Sequence, residues 1–293
     1  MTKTSKTIVF FGSGPVAAAS LNSLAKHFSI EAVITKAAPK HHKGQAPVEV
    51  LASELSLPIY FANSKSDLDD LLSKKTFSSL LGVVVDYGVI ISNKVINSFK
   101  FGILNSHFSL LPQWRGADPI TFSILSGQQK TGVSLMLIDQ SLDTGKLLTR
   151  KSIGISQSDD VISLTKKLID FSNQLLNEYI PKYLDGTVKA KNQPHPDRAT
   201  YSRKITKEDG IIDWQKPAEQ IERDIRAYQG WPKSHASIDG NNIIVIKSHI
   251  ISEPEDKLDI QCGDKKYLSI DELIAPSGRK MSAKDFINGY RIS

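Results

Sequence analysis

The N-terminal stretch Thr7-Ile-Val-Phe-Phe-Gly12-Ser-Gly14-Pro-Val-Ala17 opens the pattern that decides the fold. The apolar run Ile8–Phe11 predicts a buried strand, and the two glycines with Pro15 predict a tight turn into a helix. Short runs rich in Val and Ile then alternate with amphipathic segments of helical length. This alternation predicts an α/β fold with a doubly wound, mostly parallel sheet whose strands are buried on both faces.

The same pattern gives the individual elements of the first domain. The predicted strands are Ile8–Phe11, Ala32–Ile34, Ile59–Phe61, Leu80–Val85, Gly102–Asn105 and Val133–Ile138. The predicted helices are Val16–Lys26, Pro47–Glu54, Lys65–Lys74 and Pro119–Ser126. A longer helix over Ser158–Tyr183, with apolar residues spaced by three or four, closes this domain.

The C-terminal part of the chain has a different pattern. A polar segment with two prolines, residues 189–198, is typical of a linker. After it, one helix at Ala218–Tyr228 and four short strands predict a small β-barrel. The predicted strands are Ser234–Ile238, Ile243–Ile250, Leu258–Cys262 and Tyr267–Leu273. We therefore predict a first domain over residues 1–187, a linker over 188–203 and an OB-like barrel over 204–293.

Composition is that of an ordinary globular protein. Hydrophobic residues form 40% of the chain and charged residues 23%, which disfavours disordered, collagen-like and coiled-coil classes. The formal net charge is +6, and residues 201–293 hold 15 basic and 15 acidic side chains, so the excess lies before them. A basic N-terminal edge is compatible with a phosphate-backbone partner, although a solvated lysine face explains the charge equally well.

Three features predict a cytoplasmic location. No apolar run approaches the roughly 20 residues of a membrane span, and residues 1–6 form no hydrophobic signal segment. The single cysteine, Cys262, has no partner for an internal disulfide, as expected in a reducing compartment. Because no histidine base lies near it in the sequence, we expect Cys262 to pack rather than react.

The turn Gly12–Ala17 formally matches the dinucleotide-binding pattern G-x-G-x-x-A. However, the second strand ends Val33-Ile-Thr-Lys36 without a carboxylate for a ribose hydroxyl, and Pro15 lies inside the turn. We therefore interpret the glycines as requirements of a tight strand-to-helix turn rather than as a nucleotide site.

A second motif carries candidate chemistry: Asn105-Ser-His107-Phe-Ser-Leu-Leu-Pro-Gln-Trp-Arg115-Gly-Ala-Asp-Pro119. Asn105 and His107 are two residues apart at the end of a predicted strand, so their side chains point to the same side. Open α/β sheets bind ligands at that carboxyl edge. An amide donor beside an imidazole suits the stabilisation of a carbonyl oxygen under nucleophilic attack.

A third motif, Thr131-Gly-Val-Ser-Leu-Met-Leu-Ile-Asp139-Gln-Ser-Leu-Asp143-Thr-Gly145, predicts a buried strand and then a polar turn with Asp143 at its tip. A carboxylate near an imidazole stabilises the charged ring and relays a proton. Turn chemistry alone also accounts for an Asp-Thr-Gly sequence, so Asp143 has a structural explanation as well.

Together the two motifs resemble the signature of enzymes that move a formyl group from 10-formyltetrahydrofolate, and the resemblance extends from residue 7 to about residue 291. It implies a formyltransferase-type, Rossmann-like first domain in which Asn105, His107 and Asp143 are the catalytic trio. It also implies 10-formyltetrahydrofolate as formyl donor, without a metal. The implied folate-binding residues are Ser109, Leu110, Leu111, Pro112, Val85, Asp86, Tyr87, Gly88, Val89, Ile90 and Asp139.

Enzymes that formylate glycinamide ribonucleotide or sugar nucleotides share this first domain, so the first domain does not identify the acceptor. The C-terminal residues indicate it instead. Ile212-Asp-Trp214, Trp231-Pro232 and Pro276–Asp285 resemble the barrel of methionyl-tRNA formyltransferases. This resemblance implies methionyl initiator tRNA as the acceptor, in translation initiation, and we expect a monomer. The alternatives are a sugar-nucleotide N-formyltransferase with the same trio and a catalytically silent folate- or RNA-binding protein.

Basic residues are the expected tRNA contacts. The loop from Lys36 to Pro47 corresponds to a longer basic loop that enters the acceptor stem in the tRNA enzymes, but here it is shorter and lacks the arginine. Lysine binds phosphate without the planar fork that reads base edges. With no carboxylate or cysteine beside them, the two histidines of this loop are not expected to bind a metal. The candidates are Lys36, Lys40, His41, His42, Lys43, Arg115, Lys204, Lys207, Arg279 and Lys280.

Asp86 is a second departure from the family, which usually has a small apolar residue in this loop. A buried carboxylate requires water or a hydrogen-bond donor. We therefore expect Asp86 to alter either the folate contacts or the charge balance of the site.

Overall fold

The computed structural model describes residues 7–38, 44–290 and Ile292, which cluster into two compact units. The first unit comprises the described residues of Met1–Arg115, Gly132–Ser152 and Lys167–Tyr201. The second comprises those of Gly116–Thr131, Ile153–Lys166 and Ser202–Ser293. Each unit is thus assembled from separated segments, and the domain boundaries at residues 187 and 204 stay a prediction.

Strands and helices alternate through the first half of the chain. The strands are β1 Thr7–Gly12, β2 Ser29–Thr35, β3 Ile59–Phe61, β4 Gly82–Val85, β5 Ile103–His107, β6 Arg115–Gly116, β7 Lys130–Leu137, β8 Leu147–Gly154, β9 Tyr201–Ser202, β10 Ser234–Ile238, β11 Asn241–Ile251, β12 Asp259–Gln261, β13 Tyr267–Ile274 and β14 Lys280–Ser282. The α-helices are α1 Pro15–Leu24, α2 Pro47–Glu54, α3 Lys65–Lys74, α4 Asn93–Ile96, α5 Pro119–Leu125, α6 Val161–Leu184, α7 Ala218–Ala227 and α8 Ala283–Gly289. Within the described ranges, none of these helices has the length and apolar character to cross a membrane.

A seven-stranded sheet, in the order β3-β2-β1-β4-β5-β7-β8, organises the first unit. Strands β1 to β5 pair in parallel, whereas β7 pairs antiparallel with β5. The strand order reverses between β1 and β4, and open α/β sheets bind ligands beside such a switch point. The predicted doubly wound, mostly parallel sheet is confirmed.

Close packing explains the glycine turn after β1. Residues Ile8–Phe11 are fully buried, as a strand covered on both faces requires. A Cβ atom on Gly12 would lie 2.6 Å from Cβ of Ala17 and 2.8 Å from the carbonyl oxygen of Val85. Only glycine therefore allows α1, which begins at Pro15, to approach the sheet this closely.

The second unit is built on a five-stranded antiparallel sheet in the order β10-β11-β13-β12, with β14 paired to β13. Register irregularities in β11 near Lys247 are of the kind that increases the coiling of a strand. The sheet curls into a half-barrel, which confirms the predicted OB-like second fold. Its core is formed by buried side chains of the strands and of α7 and α8, including Ile221, Val245, Leu268 and Phe286.

Candidate active site

Strand β5 carries the amide and the imidazole of the second motif. In the sheet register Asn105 lies between Val84 of β4 and Met136 of β7, so it is central in the sheet. His107 follows two residues later and is only 6% exposed. Because side chains alternate along a strand, Asn105 and His107 share one face at the carboxyl end of β5.

The imidazole of His107 is held in one orientation. Its Nε2 atom lies 2.9 Å from the carbonyl oxygen of Trp114. A carbonyl only accepts hydrogen bonds, so Nε2 carries a proton and donates it. On the other side of the ring, Nδ1 lies 3.7 Å from Oδ2 of Asp143. Nδ1 is therefore the ring nitrogen left for a substrate or a water.

The turn after β7 presents Asp143 in an unusual backbone conformation, with φ of 53°. Oδ1 of Asp139 accepts hydrogen bonds from Oγ1 of Thr144 at 2.7 Å and from the backbone N–H of Ser141 at 3.2 Å, which closes the turn. A Cβ atom on Gly145 would lie 1.6 Å from the carbonyl oxygen of Leu137, so only glycine fits there. These contacts give the motif its spacing and leave the Asp143 side chain 12% exposed.

The Asn105 side chain is neither buried nor engaged in a hydrogen bond that the described residues supply. It is partly exposed, and among the residues that the structure describes its amide has no hydrogen-bond partner within the protein. An amide left in this state at the end of a central strand is available to donate to a ligand oxygen. Together with Nδ1 of His107, it forms the polar part of the site.

Residues 109–112 follow His107 closely in the chain and are held by hydrogen bonds. Oγ of Ser134 donates to the carbonyl of Ser109 at 2.7 Å and accepts from the N–H of Leu111 at 3.0 Å. Arg150 donates from Nη1 to the carbonyl of Leu111 at 2.7 Å. Ser109, Leu111 and Pro112 are buried, and Leu110 is partly exposed. This segment is a fixed wall rather than a flexible loop.

Residues 85–90 form a loop at the carboxyl end of β4. Tyr87 is buried, its hydroxyl donates to the carbonyl of Ala62 at 2.9 Å, and burial together with the Asp67 charge raises its pKa. Ile90, by contrast, is 76% exposed. Asp86 is exposed, so its carboxylate does not bear the cost of a buried charge. Tyr87 is thus turned inward, whereas Asp86 and Ile90 are exposed.

The residues expected to contact tRNA differ in their solvent exposure. Lys204, Lys207, Arg279 and Lys280 are exposed, and Lys280 pairs with Glu272 at 2.7 Å. Lys36 is partly exposed, and its N–H donates to Oγ of Ser13. The remaining loop candidates, Lys40, His41, His42 and Lys43, lie outside the described residues.

Arg115 does not fit its expected role as a tRNA contact. It is 6% exposed, and its Nη2 donates to Oε1 of Gln193 at 2.8 Å. A buried guanidinium engaged inside the protein is not accessible to a phosphate group. We therefore leave Arg115 out of the proposed tRNA contacts.

The single cysteine and the potential metal ligands complete the description of reactive side chains. Cys262 is buried in the second unit, and burial raises the pKa of its thiol, which disfavours the reactive thiolate. Within the described ranges, His, Cys, Asp and Glu side chains form no cluster of three that could hold a metal ion.

Sequence reasoning missed three residues that contact the site. The Trp114 carbonyl orients His107, and Gln193 and Thr200 bind backbone groups of the loops around it. Gln193 and Thr200 lie in the segment predicted as a linker, and its polar, proline-containing composition gave no signal of attachment. That Gln193 is buried and binds this turn can be recognised only once the fold is known.

Family profiles match both parts of the chain. The formyl transferase profile matches residues 5–180, and the profile described as formyl transferase, C-terminal domain, matches residues 204–291. The chain therefore belongs to the formyl transferase family, and it is a one-carbon transferase.

Curated relatives narrow this assignment. The methionyl-tRNA formyltransferase of Caldanaerobacter subterraneus subsp. tengcongensis is 32% identical over 97% of this chain and 97% of its own length. That of Methylococcus capsulatus is 34% identical over 85% of this chain and 83% of its own. Within the family, the chain belongs with the methionyl-tRNA formyltransferases.

Solved structures share the fold at lower identity. An N-formyltransferase from Helicobacter canadensis, in complex with folinic acid and dTDP-3-aminofucose, has a TM-score of 0.70 at 20% identity, covering 90% of this chain and 98% of that one. HypX from Aquifex aeolicus, in complex with tetrahydrofolic acid, has a TM-score of 0.63 at 13% identity, covering 96% of this chain and 46% of that one. These likenesses support the fold of both parts of the chain.

Proposed function

We propose that this enzyme transfers the formyl group of 10-formyltetrahydrofolate to the α-amino group of methionine carried on initiator tRNA. The observation that carries the proposal is the identity of 32–34%, over most of the chain, to methionyl-tRNA formyltransferases. The geometry around His107 is compatible with this acyl transfer between two nitrogen atoms.

The reaction follows from the polar groups of the site. The neutral α-amine attacks the formyl carbon, and the carbonyl oxygen becomes a tetrahedral oxyanion. The uncommitted amide of Asn105 and the protonated Nδ1 of His107 stabilise that oxygen. The carboxylate of Asp143, whose Oδ2 lies 3.7 Å from Nδ1, faces the same ring nitrogen. The carbon–nitrogen bond to folate then breaks as the new amide forms.

Proton transfer completes the balance of this reaction. The attacking amine must lose a proton, and the leaving folate nitrogen must gain one. We assign this relay to Asp143, acting through a water molecule, because its carboxylate is partly exposed and lies close to the ring without a direct hydrogen bond. A covalent intermediate is not needed, since no nucleophile with an adjacent base was identified in the motifs.

We propose two walls for the folate. The segment Ser109–Pro112 is fixed by Ser134 and Arg150, and the loop 85–90 offers backbone groups while Tyr87 faces the core. Asp139 closes the Asp143 turn through its carboxylate, so its contribution to folate binding acts through that turn. A rigid pocket of this kind lowers the entropy cost of ligand binding.

For the tRNA, we propose phosphate contacts by basic residues of each unit. Phosphate contacts position the acceptor without reading its sequence. Lys36, with residues 40–43, is the candidate set before α2, and Lys204, Lys207, Arg279 and Lys280 are the set in the second unit. We further infer a monomeric cytoplasmic enzyme with a catalytic domain over 1–187 and a tRNA-binding domain over 204–293.

One experiment separates the acceptors. The purified protein is given 10-formyltetrahydrofolate with methionyl initiator tRNA, with an amino-sugar nucleotide, or with no acceptor, and formylated product is measured in each case. We expect formylation of the tRNA alone. Formylation of the amino sugar would replace the proposal by the sugar-nucleotide alternative, and release of formate without an acceptor would indicate a folate hydrolase. Light scattering of the same sample tests the monomer.

A further inference from the structure

The segment predicted as a linker is attached to the candidate active site along residues 191–200, which we call the 191–200 segment. At its start, Lys191 and Leu147 exchange two backbone hydrogen bonds, of 2.7 Å and 2.9 Å, in an antiparallel bridge. Two residues further along then bind the turn that carries Asp143 and the loop whose Trp114 carbonyl accepts from His107. The segment is therefore part of the structure of the site.

Gln193 binds the backbone of the Asp143 turn. Its Nε2 donates to the carbonyl oxygen of Asp143 at 2.7 Å and to that of Gly145 at 3.0 Å. Its Oε1 accepts from Nη2 of Arg115 at 2.8 Å. A flipped amide would set an oxygen against two carbonyls and an NH₂ group against a guanidinium, so the partners fix its orientation. Gln193 is 7% exposed, and water has little access to replace it.

Thr200 binds the loop on the His107 side. Its Oγ1 accepts from the N–H of Trp114 at 2.9 Å, and its carbonyl accepts from the N–H of Arg115 at 2.9 Å. Its own N–H donates to the carbonyl of Pro112 at 3.2 Å. Trp114 is the residue whose carbonyl oxygen receives the Nε2 proton of His107. Thr200 is exposed, however, so water can take over part of this role.

The two residues held in this way have strained backbones. Trp114 has φ of 54° and Asp143 has φ of 53°, in the left-handed region that non-glycine residues rarely adopt. Such conformations persist only where surrounding contacts over-determine them. Gln193 and Thr200 supply part of these contacts, one on each side of the His107–Asp143 pair.

We propose that Gln193 is a positioning residue for formyl transfer, and that Thr200 assists it from the His107 side. By holding the Asp143 carbonyl, Gln193 sets the 3.7 Å separation between Asp143 and His107. Displacement of a reacting group by about 1 Å costs on the order of 100-fold in rate. The inference rests on the proposed function, because the positioned groups are those assigned to that reaction.

The test uses Gln193→Glu and Gln193→Leu in the full-length protein. Glutamate keeps an acceptor for Arg115 but places an oxygen against two carbonyls, and leucine keeps the volume while removing both donors. We expect kcat to fall at least about 10-fold in each, with KM for folate and for tRNA within about twofold of wild type, because a misplaced Asp143 affects the transition state rather than substrate binding.

A matched control is Gln128→Glu. The Gln128 amide also donates to a backbone carbonyl, that of Lys130 at 2.8 Å, but it lies outside the candidate site. We expect this variant to keep wild-type kcat even where its melting temperature falls as much as that of the Gln193 variants. If kcat fell in Gln128→Glu as well, in proportion to the loss of melting temperature in all three variants, the effect would be one of stability and the proposal would be overturned.

Thr200 supplies a second test should the Gln193 variants fail to fold. Thr200→Val removes the hydroxyl at nearly constant shape, and Thr200→Ser retains it. We expect kcat to fall about threefold in the valine variant, less than for Gln193 because Thr200 is exposed, and to recover in the serine variant. Equal kcat in Thr200→Val and Thr200→Ser would refute positioning through the Thr200 hydroxyl. The wild-type protein, assayed in parallel on methionyl-tRNA, reports independently on the proposed function.

Discussion

The Nδ1 atom of His107 lies 3.7 Å from Oδ2 of Asp143. This separation is too long for a direct hydrogen bond, although both side chains are largely buried. The Nε2 bond to the Trp114 carbonyl keeps the ring from turning away. The gap between the two side chains is consistent with the relay through a water molecule that we propose for Asp143.

Removal of a side chain from the trio should abolish most of the turnover. We expect Asn105→Ala, His107→Ala and Asp143→Ala each to lower kcat at least about 100-fold, since each removes a group that acts on the developing oxyanion or the proton. The measurement is single-turnover formylation of methionyl-tRNA, with circular dichroism to verify folding. Near-normal turnover of His107→Ala would remove the proposed mechanism.

The trio should also behave as one unit. Oxyanion stabilisation and proton transfer belong to a single step, so the second substitution has less left to remove. We expect the double variant His107→Ala/Asp143→Ala to lose much less than the product of the two single losses. A product of independent effects would show that the two side chains act in separate steps.

Salt should weaken tRNA binding far more than folate binding. Lysines that neutralise phosphates release counterions, so the affinity for tRNA should fall steeply with ionic strength, whereas the two walls that we propose for folate contain no lysine. We expect Lys36→Ala to reduce the salt slope of tRNA binding by about 1. Lys182→Ala is the control, because Lys182 is exposed but already paired with Glu178 at 2.6 Å. Equal slopes for tRNA and folate would contradict the assignment.

Much of the first fold was predictable because buried parallel strands are continuous apolar runs. The bounds of β3, α2, α3 and β10 agree with the predicted ones. Strand β8 was missed, since it is the last strand of the sheet and its exposed centre, with Arg150 and Lys151, resembles a polar loop. Helix α8 was missed because it is short and buries only Phe286. Neither element has the periodicity on which sequence prediction depends.

Less of the candidate site was predictable. Asn105 and His107 follow from strand alternation, and the structure places Asp143 beside His107 as the motif suggests. Gln193 and Thr200 were not predicted. Their partners are backbone groups 50 and 86 residues away in sequence, and no pattern of residue types specifies a backbone partner. The attachment of residues 191–200 to main-chain atoms of the site becomes visible only in the folded chain.

The turn that presents Lys204 and Lys207 should be sensitive to acid. Arg203 and Thr206 hydrogen-bond the Asp209 carboxylate and lower its pKa to about 2. A lowered pKa stabilises the fold above the unfolded value of 3.8, and this stability is lost as the pH falls through about 2. We expect Asp209→Asn to cost about 1 kcal/mol at pH 7, since Arg203 is largely exposed and screened.

Urea unfolding of wild type and Asp209→Asn at pH 7, 4 and 3 checks this sign. The difference in unfolding free energy should be nearly constant from pH 7 to pH 4 and smaller at pH 3, as the unfolded carboxyl becomes protonated. A difference that stays constant to pH 3 would show that Asp209 contributes through its backbone turn rather than through its charge.

The basic side chains of the second unit should affect tRNA affinity and not the chemical step. The phosphate contacts that we propose for them would be made equally in the ground and transition states, so removing one should raise KM and leave kcat unchanged. We expect Lys204→Ala, Lys207→Ala and Arg279→Ala each to raise KM for tRNA severalfold, and Lys280→Ala to do less, since Lys280 is already paired with Glu272.

Substitution is a better test of these contacts than truncation before residue 200, which would also remove Thr200 and its bonds to Trp114 and Pro112. Lys266→Ala is the matched control, because Lys266 is an exposed lysine of the same unit that pairs with Glu219 at 3.2 Å. Steady-state kinetics with varied tRNA at saturating folate separates KM from kcat. If all four variants matched Lys266→Ala in KM, the second unit would hold tRNA through other residues, and the sugar-nucleotide alternative would gain support. A fall in kcat instead would mean that these residues act on the reaction itself.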